Sequence, residues 1–176
     1  MRDEISYLEL VRDLKDLNCP LFGGSVAYMT IETNVSLLMK LLDIKINKAD
    51  ENQSSFIKVK TIAQSILPFA HEMITKDGEI FDRLRKTKDP AEKDKIVLDI
   101  FHPSYAFLDN ISTLTFFIDR VVRITTGTLK HDFEMISDVL EACKRNLICI
   151  LQYEVKKISD DLKRNEYLDI INELYA

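Results

Sequence analysis

The sequence predicts an all-α fold: a single-domain bundle of long antiparallel helices, two of them apolar enough to be central. Three observations lead there. Only four glycines and four prolines interrupt 176 residues, so regular elements must be long. Apolar residues recur at steps of three and four through most of the chain. Nowhere does a two-residue alternation persist between turn clusters, as a half-buried strand would require. At this length one compact core over residues 1–176 is expected.

The first segment, Asp3 to Leu17, sets Ile5, Leu8, Val11 and Leu14 on one face, an amphipathic helix. Pro20 ends it, Gly23 and Gly24 free the backbone, and Ser25 is placed to cap the next helix. Val26 to Ile46 is apolar most of the way round, which suits the middle of a bundle. Asn47 to Ser54 reads as a surface turn. A third helix runs from Ser55 or Phe56 to Leu84, with Pro68 expected to kink it and Gly78 to weaken it by roughly 1 kcal/mol relative to alanine.

Lys86 to Pro90 is a charged turn whose proline suits a first helical turn. A short helix from Ala91 to Phe101 is expected to stop at His102-Pro103. Ser104 to Thr125, with Asp109 its one charge before Asp119, is the second central helix. After a connection around Gly127, Phe133, Ile136, Leu140, Cys143, Leu147 and Ile150 form the seam of a last long helix, about Asp132 to Leu162. A short helix finishes the chain.

Composition narrows the function. With 24 Lys+Arg against 29 Asp+Glu the net charge is −5, so no overall positive field draws nucleic acid or an anionic membrane. The longest uncharged run, Leu17 to Ile31, is shorter than the roughly 20 residues a membrane span needs. The charged opening MRDEISYLEL does not read as a secretory signal. Three cysteines without a short paired spacing fit reduced, buried thiols and a cytoplasmic location.

No metal is expected. Glu-x-x-His is absent, Cys-x-x-Cys is absent, and the nearest approach, Asp99-x-x-His102, reads as a solvated helix end. His71 reads as a helix-face residue. The feature that stands out is the glycine turn from Cys19 to Ala27, whose free backbone N–H groups at a helix start suit an anionic or carbonyl-bearing ligand; tight helix packing is the other reading.

Pro20-x-x-Gly23-Gly24-Ser25-Val26-Ala27, after an amphipathic helix, resembles the "PxPGGGSVAA" segment of the formiminotetrahydrofolate cyclodeaminase and methenyltetrahydrofolate cyclohydrolase family. Asp77 and Phe81 are similar to that family's Asp-x-x-x-Phe element, Phe101 to Ala106 to its "VPL.LA" helix start, and Gly127 to Asp132 to its "GN…SD" turn. With Asp132 as the matching aspartate, Ile150 and Glu154 fall where members show the asparagines of "N-V-x-I-N". Ser137-Asp138 is the alternative match, and it shifts that later element by six residues. The chain departs from the pattern at Phe22, at the bulky Tyr28, Met29, Ile31 and Glu32, and at His131.

The resemblance implies an all-α homodimer acting on a tetrahydrofolate derivative, by cyclisation with ammonia loss or by hydrolysis of the methenyl bridge. It makes Asp132 and Asp77 the candidate proton-transfer groups and Gly23, Gly24 and Ser25 the substrate-binding turn. The folate's glutamate tail would want basic residues such as Lys58, Lys60 or Arg123. The departures keep a second expectation open: a homodimeric helical protein of the same fold that has lost catalysis and serves as a binding or scaffold module. That expectation requires a filled groove at the glycine turn.

Overall fold

The structure, a computed structural model, describes residues 23–48 and 52–174; the expected first helix and Cys19 lie outside the described residues. Among the described residues five helices succeed one another: α1 (Gly23–Asn47), α2 (Gln53–Lys86), α3 (Pro90–Ile124), α4 (Thr128–Val155) and α5 (Asp161–Glu173). α1 packs against α2 and α4, and α3 packs against the same two, so the first four helices close a ring with α1 and α3 across the diagonal. Cross-helix partners run in opposite order, with Ser25 on Asp77 and Asp43 on Lys60 between α1 and α2. Asp119 meets Ser137 and Thr115 meets Glu141 between α3 and α4. Each helix is therefore antiparallel to its neighbours, as short connections demand.

The apolar periodicity lands where it should. Ile31, Val35, Leu38 and Leu42 of α1 and Leu108, Ile111, Leu114 and Ile118 of α3 are completely or almost completely buried. Phe56, Phe101 and Phe133 join them, each burial contributing about 1.5–3 kcal/mol. Tyr28, Phe69 and Phe107 tie α1, α2 and α3 together, with ring centroids 4.8–6.1 Å apart.

Two expected helix boundaries are wrong, and in both cases tertiary contacts override the local signal. α3 does not stop at His102-Pro103 but runs through Pro103. Ile96, Val97, Phe101, Ser104, Phe107 and Leu108 carry one buried stripe across the proline, whose own ring faces outward. Packing on both sides outweighs the one backbone hydrogen bond the ring removes. Conversely, α4 ends at Val155 rather than near Leu162. Ser159 is held there by Asp94, through its backbone N–H at 2.9 Å and its hydroxyl. Asp160 then caps α5 by accepting from the N–H groups of Leu162 and Lys163. Ile171 and the Phe101–Tyr167 ring contact at 4.4 Å dock α5 onto the bundle.

The start of α3 agrees with its sequence. Asp89 accepts from the N–H of Ala91, with Pro90 at the first helical position. α4 begins at Thr128, after Gly127 takes a φ of 75° that other residues resist.

Candidate functional site

In an antiparallel ring the start of α1, the end of α2, the start of α3 and the end of α4 come to one end of the bundle. A cavity of about 350 Å³ lies there. Gly23, Gly24 and Tyr28 line it from α1; Met73, Asp77, Ile80, Phe81 and Leu84 from α2; Ile100, Ser104 and Leu108 from α3; and Leu147, Ile150, Leu151 and Glu154 from α4. Its wall is mostly hydrocarbon, so its few polar groups are conspicuous.

Asp77 is the centre of that polar set. Its Oδ2 accepts from the Ser25 backbone N–H at 3.0 Å and from the Ser25 hydroxyl at 3.2 Å. The expected cap of α1 is thus inverted: Ser25 lies inside the first turn, and the cap comes from a carboxylate on another helix, 52 residues away. An anion is favoured there because the first N–H groups of a helix have no partner within it. The arrangement explains Gly24. A Cβ at that position would come within 2.6 Å of Asp77 Cγ, whereas one at Gly23 would meet nothing within 4 Å.

The electrostatics arise from burial. Desolvation pushes the Asp77 carboxyl above the usual carboxylate range. The two Ser25 hydrogen bonds oppose that shift, and the negative charge of Glu154 adds to it. Tyr28 is pushed well above the ordinary phenol value by burial, against a hydrogen bond with Ser104 and with a further push from Asp77, so it stays a neutral hydroxyl. Glu154 is only 8% exposed. Both its oxygens accept from Lys157 Nζ, at 2.9 and 2.8 Å.

The structure thus brings together Gly23, Gly24 and Asp77 on the cavity wall, with Ser25 directly behind them. It does not bring Asp132 there. That residue sits near the start of α4, 18 residues before Ile150, and at 1.5 Å per residue this is about 27 Å along the helix axis, at the opposite end of the bundle. The Ser25 N–H, expected to be free for a ligand, is taken by Asp77. Lys58 and Lys60 are engaged elsewhere, over the Phe117 ring at 4.3 Å and on Asp43 at 2.5 Å, and neither they nor Arg123 line the cavity. A second groove of about 450 Å³ shares Met73, Ile80, Ile100 and Ser104 with the first and carries Lys76 and Arg83.

Tyr28 and Ser104 are site residues that sequence reasoning missed, and Glu154, aligned with a family asparagine position, was not put forward as one. Tyr28 reads as a bulky departure and Ser104 as a helix start. Glu154 had a usable signal, an acid set among Leu147, Ile150, Leu151 and Val155 on an apolar stripe. Cys143 is buried as expected, but Cys149 is exposed. His71 lies on an exposed helix face, bonded to Glu32 at 2.9 Å, as expected. No group of three or more His, Cys, Asp or Glu among the described residues is placed to hold a metal ion. No described helix is long and apolar enough to cross a membrane.

No protein-family model matches the sequence, and no curated protein matches it. The fold is similar to the crystal structure of formiminotetrahydrofolate cyclodeaminase from Thermotoga maritima. The TM-score is 0.84, the likeness covers 98% of this chain and 89% of that one, and the identity is 14%. So distant a sequence with so close a backbone shows a shared fold, and fold does not by itself carry activity.

Proposed function

We propose that this protein is a folate-dependent one-carbon enzyme, closing a formimino group onto the neighbouring nitrogen of tetrahydrofolate with loss of ammonia, or opening the methenyl bridge with water. The observation that carries the reading is the Asp77 carboxyl, held by Ser25 at the glycine turn and facing an open cavity of about 350 Å³. That volume lies in the range of small-molecule sites, enough for the bicyclic head of a folate with its tail outside.

The chemistry needs a group that takes a proton and gives it back. In cyclisation of the N-protonated formimino group the neighbouring nitrogen attacks the formimino carbon, its C=N double bond becomes a single bond to an NH2 group, and the new C–N bond forms as the attacking nitrogen's proton passes to Asp77. Asp77 then returns a proton to the departing nitrogen, the old C–N bond breaks, and ammonia leaves. A carboxyl whose proton affinity is raised by burial is closer to balanced for both transfers than an ordinary carboxylate. The Tyr28 hydroxyl, kept neutral, is a donor for a carbonyl or nitrogen of the ring. A homodimer in the cytoplasm belongs to the same proposal, and sedimentation equilibrium measures the dimer.

The alternative of a fold without its reaction requires a plugged corner at Gly23-Gly24. The cavity beside those glycines, with an acid in it, argues against that. Titration calorimetry with 5-formyltetrahydrofolate and a spectrophotometric assay of the methenyl chromophore test the proposal. Binding and turnover are expected, with turnover reduced about 10²-fold or more in Asp77→Asn. Absence of both in the wild-type protein rejects it.

A further inference from the structure

One face of α3 packs into the core, and the opposite face carries a second regular stripe. Ala106, Asp109, Thr113, Phe116, Arg120 and Arg123 are all exposed and follow one another at steps of three, four, three, four and three. That spacing forms the seam along which two helices pack at a shallow angle. Phe116, in the middle of the stripe, is 55% exposed. The charges on either side of it are unmatched within the chain. Asp109 and Arg123 have no hydrogen bond or ion pair among the described residues. Arg120 lies over the Phe116 and Phe117 rings, 4.8 and 5.9 Å from their centroids, and meets no carboxylate.

The order of these residues matters. The acid comes before Phe116 and the two arginines after it, so the stripe is complementary to itself reversed. A two-fold axis passing midway between Leu114 and Thr115 sets Asp109 opposite the partner's Arg120, Thr113 opposite the partner's Phe116, and Ala106 opposite the partner's Arg123. All three pairings share that one midpoint, and the symmetry makes each of them twice. The small side chains of Ala106 and Thr113 thus fall where the long arginine stem and the aromatic ring need room. A parallel pairing would instead set Asp109 against Asp109 and Arg120 against Arg120, and like charges in contact oppose association. An acidic helix of another protein would satisfy the arginines and repel Asp109.

We propose that this protein pairs with a second copy of itself through the outer stripe of α3, the two helices antiparallel, with Phe116 at the centre and an Asp109–Arg120 ion pair on each side. This gives the dimer of the proposed function its surface and uses none of that function's chemistry.

Sedimentation equilibrium of the full chain and of charge-reversed variants tests it. Wild type is expected to be a dimer that weakens as salt is raised. Asp109→Arg alone, or Arg120→Asp alone, sets like charges against each other at both ends of the seam and should weaken the dimer about tenfold or more. Mixed in equal amounts, the two variants should associate again, because one then supplies only bases and the other only acids to both contacts. Misfolding cannot produce that rescue. A wild-type monomer overturns the inference, as does a dimer indifferent to both reversals, which would place the contact on another face. Variants that stay apart when mixed overturn it too. Folate turnover by a wild-type monomer loses this inference and keeps the chemistry. A dimer that responds to the reversals and their mixing yet neither binds nor converts folates keeps this inference and loses the folate reading.

Discussion

Asp77 on α2 caps the start of α1 by accepting two hydrogen bonds from Ser25, and the same carboxyl faces the cavity. One side chain thus fixes the register of two helices and presents the site's acid. These roles conflict. Ser25 and the helix dipole favour the ionised form, while burial and Glu154 disfavour it, and the second pair prevails.

The conflict predicts a pH-dependent effect of Asp77→Asn on stability. Because the folded carboxyl holds its proton more tightly than the unfolded one, its contribution is fullest below the ordinary carboxylate range, about pH 4. It is lost as pH rises through the elevated folded value. Around the carboxyl stand Ser25 and Tyr28 from α1, Ser104 from α3 and Glu154 with its Lys157 from the end of α4. Asparagine keeps an oxygen for the Ser25 N–H but carries no charge. At neutral pH the variant should melt higher than wild type, and near pH 3.5 the two should coincide. A variant less stable at neutral pH would mean that the helix dipole, not burial, decides.

Gly24 and Gly23 should respond differently to alanine. At Gly24 the new methyl displaces the Asp77 carboxyl and breaks its Ser25 bonds, for a cost of about 1–2 kcal/mol and loss of ligand binding. At Gly23 nothing stands in the way, and a change within roughly 0.5 kcal/mol is expected. Chemical denaturation of both variants, with ligand titration alongside, separates the two positions.

Much of this arrangement is legible in the sequence. The three- and four-residue steps of Ile31, Val35, Leu38 and Leu42 mark a core helix without any fold in hand. Gly24 and Asp77 stand out through their resemblance to a family pattern. Which helix ends meet is not legible. Asp77 and Asp132 look equivalent along the chain, both acids near an expected turn or helix element. Only the antiparallel ring puts the first beside Gly24 and the second about 27 Å away along α4. Tyr28, Ser104 and Glu154 are three residues on three helices, and their convergence is a tertiary fact that no local spacing encodes.

Thr125 closes α3 and is 3% exposed, and its Oγ1 has no hydrogen-bond partner among the described residues. A buried hydroxyl without a partner has lost its water and gained nothing in return. Thr125→Val keeps the shape and removes the polar atom. The expected result is a gain of about 1 kcal/mol, or roughly 2–4 °C in Tm, in thermal unfolding. A loss of that size would show that the hydroxyl has a partner in solution.

Pro103 tests whether α3 is one helix. A proline that began a second helix would sit at a first position, where it costs nothing, and alanine there would be neutral or slightly unfavourable. Inside a continuous α3 the ring removes the N–H that would bond the Asp99 carbonyl and crowds that turn. Pro103 is exposed, so alanine leaves no cavity in the core. Pro103→Ala should therefore stabilise the protein by about 1–3 kcal/mol, less than the full interior penalty because the turn has already adjusted to the ring. Denaturant midpoints at unchanged slope give the value, and amide exchange of Phe107 and Leu108 should slow with it. An unchanged midpoint would restore the break that the sequence suggested.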